Sequence, residues 1–427
     1  MEKEYQIESL YAKFLQSNAV VTDTRKLTDG DLFFALRGPN FNGNAYAAAA
    51  IGAGASCAVI DDPDYEVEGK TMLVEDSLKM LQKLARFHRS RLRCPVLGIT
   101  GSNGKTTTKE LVRNVLEERY IVTATVGNFN NHIGVPLTVL SINPQAEFAI
   151  VEMGASAVGE IALLSSIAMP TMGLITNIGK AHTETFGGIE GVIRGKSELF
   201  DYLRKNGGQV FINGLDRVLS NMTKRFESPV QYPMSDMTFE NADPFIVYHA
   251  GEREVKTTLI GSYNYANIAA AVAIGRHMNV AEDKIHHAIA TYEPDNNRSE
   301  LAVVGSNTLI KDAYNANPDS MKAALENFVA MSGRKMAVLG DMNELEEPEA
   351  EHRQMGEWIA SLTIDQVIFC GPLMQTAHRV VPDSLYFEEV SQAADWLGSN
   401  MPTDAKILLK GSRSIRLEKL FAVLEGS

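Results

Sequence analysis

At 427 residues, with 45% hydrophobic and 22% charged side chains, the chain has an ordinary globular composition and a length suited to about three domains of roughly 150 residues each. Its 40 Lys and Arg against 53 Asp and Glu leave a net charge of −13, which disfavours a nucleic-acid partner held on a basic face but leaves room for small anionic substrates in local basic pockets. The three scattered cysteines, Cys57, Cys94 and Cys370, show no metal spacing, no apolar run reaches membrane-spanning length, and the first residues carry no signal pattern, so a soluble cytoplasmic chain without membrane insertion, expected to be a monomer, is predicted.

Residues 1–93 read as a small α/β domain, with helices over 7–15, 44–52 and 78–87 and strands over 31–36 and 57–60. Two polar spots stand out in it: Asp23-Thr24-Arg25, and Arg37 after the Phe-rich strand. Arg25 and Arg37 have the fork geometry for a diphosphate or a sugar acid, but on spacing alone two solvated arginines are the plainer reading. A basic, proline-ended stretch over 89–95 is expected to link this domain to the next.

The second domain, 94–300, is organised around its first strand, turn and helix. A short apolar strand over 95–99 runs into G-S-N-G-K-T-T at 101–107, and a helix follows over 106–119 with Leu111, Val112, Val115 and Leu116 on one face. A Gly-rich turn between strand and helix aims backbone N–H groups and the positive helix end at one spot, which suits phosphate. Lys105 adds a charge for the outer phosphates and Thr106 a hydroxyl for Mg²⁺. The strict phosphate-loop pattern fails at one position, where Ile99 stands in place of Gly.

Further along, after a strand over 120–123, the loop 127–136 packs three Asn, one His and two Gly into ten residues, which fits either turn chemistry or substrate binding. Glu152 ends the apolar strand 148–151, at the ligand edge of a parallel sheet, where it is a natural Mg²⁺ ligand; the alternative is a surface acid ahead of a helix. His182 follows the strand 174–177, and its placement leaves a ligand role and a structural role equally open. Lys196, on a helix whose apolar side is Val192, Leu199 and Leu203, reads as a solvated lysine. A strand over 209–213 and a hairpin over 245–260, turning at 250–252, precede an Ala-rich helix that opens at Tyr263 and Asn264 and runs to Arg276.

In the third domain, 301–427, strands over 308–311, 335–339, 366–370 and 406–409 alternate with helices over 320–331, 350–361, 390–398 and 414–424. That alternation predicts a parallel, doubly wound sheet. Polar clusters stand at the strand ends: Asp312 to Pro318, Gly340 to Glu344, Gly371-Pro372 and Lys410 to Arg413. Four such loops on one sheet edge suggest a binding face.

Together, T-G-S-N-G-K-T-T (100–107), G-N-F-N-N-H-I-G-V-P (127–136), V-E-M-G-A (151–155), N-I-G-K-A-H (177–182), G-K-S-E-L-F (195–200) and D-A-Y-N-A-N-P (312–318) resemble the Mur ligases over essentially the whole chain. The resemblance implies an α/β chain of three domains: an N-terminal domain for a UDP-sugar peptide, a central ATP-binding domain, and a C-terminal Rossmann-like domain for the incoming amine. D-T-R (23–25), G-D-L-F-F-A-L-R-G (30–38), L-G-D-M-N-E-L (339–345) and K-G-S-R-S (410–414) narrow it to the branch that joins a D-alanyl-D-alanine dipeptide to UDP-N-acetylmuramoyl-tripeptide.

The resemblance implies ATP contacts at Gly101, Ser102, Asn103, Gly104, Lys105, Thr106 and Thr107, with Asn264, Arg298 and Asp312 near adenine and ribose. Two Mg²⁺ ions are expected, with Thr106, Glu152, His182 and Lys196 as ligands. Lys196 matches a lysine that such enzymes carbamylate with CO₂, which reverses its reading as a solvated side chain. Catalytic weight falls on Lys105, Lys196 and His182. Thr24, Arg25, Arg37, Asn128 and Asn131 are implied for the UDP-sugar peptide, and Asn315, Asn317, Lys410, Ser412 and Arg413 for dipeptide and phosphate. One departure is Tyr263, where the family often has His in H-N-x-x-N.

Overall fold

The computed structural model describes residues 2–294 and 300–425. Three main sheets divide the chain. The first is parallel, in the order Val20–Val21, Leu32–Phe34, Cys57–Ile60 and Thr71–Leu73. The strand expected over 31–36 stops at Phe34, because the chain turns there into a small hairpin of Arg37–Gly38 and Phe41–Asn42. The helix expected over 44–52 divides into a 3₁₀ turn, Gly43–Tyr46, and a short α-helix, Ala47–Gly52.

The basic stretch after 89 is a packed junction. Helix Ser77–Arg89 buries Leu81 and Leu84 in one continuous core with Val135, Ile161 and Leu199 of the following domain. Arg89 is itself buried and donates to the carbonyls of Ala168 (3.0 Å), Leu92 (3.1 Å) and Met169 (3.2 Å).

The central sheet has six parallel strands, in the order Val230–Tyr232, Gln209–Asn213, Met172–Ile175, Val96–Thr100, Phe148–Glu152 and Val122–Ala124. Its inner strands read as continuous apolar runs because both faces are covered. Helices Lys105–Glu117 and Asn264–His277 pack on one face; Ser77–Arg89, Gly134–Leu140, Glu160–Ala168 and Ile189–Asn206 lie on the other. The chain crosses from one side of Val96–Thr100 to the other after Phe148–Glu152, which opens a crevice at the carboxyl ends of these strands. The expected hairpin is present as Phe245–Ala250 and Arg253–Ile260, but a third antiparallel strand, Met237–Ala242, joins it.

The third sheet runs Glu300–Val304, Asn307–Asp312, Ala405–Lys410, Arg334–Gly340, Gln366–Cys370 and Leu385–Phe387. Apolar clusters on both faces make it doubly wound. It departs from the all-parallel expectation at one edge, where Glu300–Val304 runs antiparallel to Asn307–Asp312. That edge strand is only partly buried, so it lacks the apolar run that marks the inner strands. The last predicted helix is also shorter: a 3₁₀ turn, Arg413–Ile415, precedes α-helix Lys419–Leu424.

Candidate active site

The turn after strand Val96–Thr100 owes its shape to two glycines. Gly101 sits at φ +144°, and a Cβ there would lie 2.0 Å from the Thr176 hydroxyl oxygen; Gly104, at φ +77°, opens the helix and faces Asn267 Oδ1 at 2.7 Å from where a Cβ would stand. No other residue type fits either position without moving its neighbours. The adjoining strand's loop then clamps the turn. Asn103 N–H donates to Asn177 Oδ1 (3.0 Å) and the Asn177 amide to Asn103 O (3.0 Å), while the Ser102 hydroxyl bridges to Gly179 O (3.0 Å) and accepts from Gly179 N–H (2.9 Å). The Lys105 ammonium curls back to the carbonyls of Gly101 (2.8 Å) and Ser102 (3.1 Å).

Beside this turn, Glu152 is only 1% exposed, so it is not a surface acid. Its Oε2 accepts from the Thr106 hydroxyl (3.0 Å) and its Oε1 from the Asn130 amide (2.8 Å). A carboxylate and a hydroxyl sharing one spot form a hard oxygen pair that fits Mg²⁺. His182, in a left-handed conformation (φ 55°), places Nδ1 2.7 Å from Glu344 Oε2. That hydrogen bond, helped by the charges of His182 and Lys105, holds the Glu344 carboxyl below its usual range against the opposing effect of burial. Lys196 is 1% exposed: it donates to Ala155 O (2.9 Å) and lies 5.2 Å from the Phe186 ring centroid. Burial first, and then the charge of Lys105, push its amine well below the ordinary lysine value, with Glu160 and Glu198 pulling the other way. The helix periodicity places Lys196 among Val192 and Leu199, and the solvated reading fails because the Ala155 and Phe186 segments cover that side.

One cavity of about 860 Å³ gathers these groups. Ser102, Asn103, Gly104, Lys105, Thr107, Asn128, Asn131, Glu152, His182, Asn264, Asp312, Asn315 and Lys410 line it. Gly101, Thr106 and Lys196 sit behind its wall. Lys410 is tied to Asp312 (2.6 Å) and to Asn315 O (3.3 Å). Asn317 caps helix Pro318–Ala330 and pairs amide to amide with Asn103 across the two domains (2.7 and 3.4 Å). Ser412 accepts from Asn343 N–H (3.0 Å), and the Arg413 guanidinium stacks over Tyr314 at 5.4 Å. Away from the cavity, Arg25 is 87% exposed and bonded to Asp23, with Thr24 in the same 3₁₀ turn, and Arg37 is 48% exposed and paired with Asp61 and Asp62. Arg298 lies outside the described residues.

Asn130, Asn177 and Glu344 carry no individual role in the sequence reading. Asn130 and Asn177 orient Glu152 and the turn, and each stands inside a motif that was quoted for other members. The two asparagines one turn apart at the start of helix Asn264–His277, which the sequence leaves open to capping or to ligand contact, bond to each other: Asn267 accepts from the Thr108 hydroxyl (3.0 Å) and donates to Asn264 Oδ1 (2.8 Å), so the pair braces the glycine turn from behind. Tyr263 lines the cavity at the start of that helix. Glu344 belongs to the L-G-D-M-N-E-L motif, one of the strand-end clusters expected to form a binding face, and it is the member of that motif that lines the cavity.

Three family models match the chain: one described as Mur ligase family, catalytic domain, over residues 17–89, one as Mur ligase middle domain over 99–275, and one as Mur ligase, glutamate ligase domain over 297–413. The chain is 35% identical to the UDP-N-acetylmuramoyl-tripeptide–D-alanyl-D-alanine ligase of Bacillus subtilis, covering 94% of this chain and 92% of that protein. It is 32% identical to the ligase of the same name from Escherichia coli, covering 96% and 94%. A crystal structure of MurF from Acinetobacter baumannii matches with a TM-score of 0.87 at 26% identity, covering 99% of this chain and 98% of that one. The MurF ligase of Thermotoga maritima, solved in complex with ADP, matches with a TM-score of 0.85 at 27% identity over 97% and 98%.

Proposed function

The chain belongs to the Mur ligase family, and from that premise we propose that it joins D-alanyl-D-alanine to UDP-N-acetylmuramoyl-tripeptide, forming ADP and phosphate, in cytoplasmic peptidoglycan precursor synthesis. The observation that carries this reading is the single cavity in which Lys105 and Glu152 of the central domain face Asp312, Asn315 and Lys410 of the third. A nucleotide-binding protein without an acceptor has no need of that second wall.

A carboxylate is a poor electrophile because its leaving group would be oxide. Attack by a substrate carboxylate oxygen on the γ-phosphorus of ATP releases ADP and makes an acyl phosphate, whose leaving group is phosphate. The neutral dipeptide amine then attacks the carbonyl carbon, the bond from that carbon to the phosphate oxygen breaks, and the proton lost from nitrogen leaves with the departing phosphate as the amide forms. In this reading the N–H groups of the 101–106 turn and the Lys105 ammonium hold phosphate oxygens, and Asn264 and Asp312 face the nucleoside. Thr106 and Glu152, with His182 nearby, would hold Mg²⁺, which when bound supplies positive charge against the crowded anions. The third domain covers the cavity and keeps water from the acyl phosphate.

Burial and the charge of Lys105 favour the neutral amine of Lys196, which is the form that would add CO₂ to give a carbamate and one proton. A bicarbonate-dependent mass increase on Lys196, together with partial rescue of Lys196→Ala by short-chain carboxylates, is the expected outcome. The decisive assay measures phosphate release with UDP-linked tripeptide, D-alanyl-D-alanine and ATP. Release that depends on both acceptor and dipeptide is expected; equal release without the dipeptide would overturn the ligase reading.

A further inference from the structure

The L-G-D-M-N-E-L segment is held residue by residue. Asp341 accepts from Met374 N–H (2.8 Å), Met342 N–H donates to His352 Nε2 (2.9 Å), and Asn343 N–H donates to the Ser412 hydroxyl (3.0 Å). Met342 and Leu345 are buried. Between these anchors Glu344 is turned out into the cavity, at φ 63°. A left-handed backbone at a residue that is neither Gly nor Asn is a strained conformation, kept here because its neighbours over-determine it. The loop spends its rigidity on aiming one carboxylate.

The other cavity carboxylates are engaged elsewhere. Glu152 serves Thr106 and Asn130, and Asp312 serves Lys410. Glu160 and Asp319 accept backbone N–H groups of Ser156 and Lys180. Among the described residues, the one hydrogen-bond partner of the Glu344 carboxylate is His182, through Oε2. Glu344 and Lys105 line the same cavity, one from the third domain and one from the central domain. In the reaction proposed above, the amine must reach a carbonyl that adjoins the phosphate held by Lys105, and it must come from the third domain's side. Glu344 is the third-domain anion at that place.

We propose that Glu344 receives the ammonium group of the incoming dipeptide and aims it at the acyl phosphate. This rests on the ligase reading. The same carboxylate serves the amine before and after it gives its proton to solvent water: it accepts from N–H in either form, which leaves the nitrogen lone pair of the neutral amine free to attack.

The test uses the full-length Glu344→Gln and Glu344→Asp variants. Phosphate release is followed against each substrate in turn, and N-propionyl-D-alanine, a dipeptide analogue without the amine, is the competitive inhibitor. For Glu344→Gln the KM for D-alanyl-D-alanine should rise about ten- to hundredfold, the range of a lost charge-assisted hydrogen bond. KM for ATP, the Mg²⁺ requirement and inhibition by N-propionyl-D-alanine should stay as in the parent, and Glu344→Asp should recover part of the loss. An unchanged dipeptide KM, an equal weakening of the amine-free analogue, or a raised Mg²⁺ requirement would each overturn the assignment. If the parent protein itself shows no dipeptide-dependent release, it is the ligase reading that has failed.

Discussion

Lys196 shows how much a single buried amine can reveal. Its ammonium form is disfavoured by burial and by Lys105, whereas in the unfolded chain it keeps its proton up to about its ordinary value of 10.5. Between the lowered folded value and 10.5 the unfolded state therefore binds more protons, and stability rises with pH across that window. The penalty is complete below the folded value and absent above 10.5. In bicarbonate-free buffer, Lys196→Met should raise the urea midpoint at neutral pH and remove this rise, while activity is lost. A variant whose midpoint still climbs with pH as in the parent would show that another group carries the slope. Lys105 carries the opposite expectation: Lys105→Ala should leave the urea midpoint near the parent value and lower kcat by about 10²–10³, the usual loss when a donor to transition-state charge is removed. Both outcomes are read from urea titrations and phosphate release on the same preparations.

The glycine turn is the element on which the site is built, and its tolerance for change is small. Gly104→Ala sets a side chain at φ +77° and drives it toward Asn267, which itself braces Thr108. The substitution should weaken ADP binding about tenfold or more in a calorimetric titration, since the N–H groups would no longer converge; an unaltered affinity would mean that the turn's backbone plays no part. This element was legible in the sequence because glycines, an apolar strand and an apolar helix face lie within a few residues of one another. Glu152 was legible for the same reason, since an acid at the end of an apolar run has one natural place in a parallel sheet. Contacts between distant segments were not legible. Asn103 and Asn317 are 214 residues apart, and no local pattern marks their pairing. Likewise the burial of Lys196 depends on the Ala155 loop and on Phe186, and the strand Glu300–Val304 lacks an apolar run because it lies at an edge. Arg25 has its carboxylate partner in Asp23 of the same D-T-R motif, whereas Arg37 pairs with Asp61, 24 residues further along, which the fold alone brings into view.

At the scale of the molecule, the central and third domains meet through polar contacts around the cavity. Lys180 N–H donates to Asp319 (2.6 Å), the Lys180 ammonium pairs with Glu351 (2.6 Å), His182 pairs with Glu344 (2.7 Å), and the Asn103 and Asn317 amides interlock. Most of these groups are partly exposed, so each pair is worth little, about 0–1 kcal/mol for an exposed ion pair. An interface of this kind closes without locking, as substrates entering between two domains require. It should therefore loosen with salt, because screening at about 1 M shrinks the reach of a charge to roughly 3 Å. Small-angle scattering should show the radius of gyration rising between low and high salt, and Lys180→Ala should display the expanded form already at low salt with little change in melting temperature. ADP should pull both back toward the compact value, since a nucleotide touching Lys105 on one wall and Asp312 on the other favours closure by its differential contacts. Scattering that ignores salt, Lys180 and nucleotide alike would mean that apolar packing holds the domains together, and Ile260, which shares a core cluster with Met321 and Leu325 of the third domain, would be the first place to look.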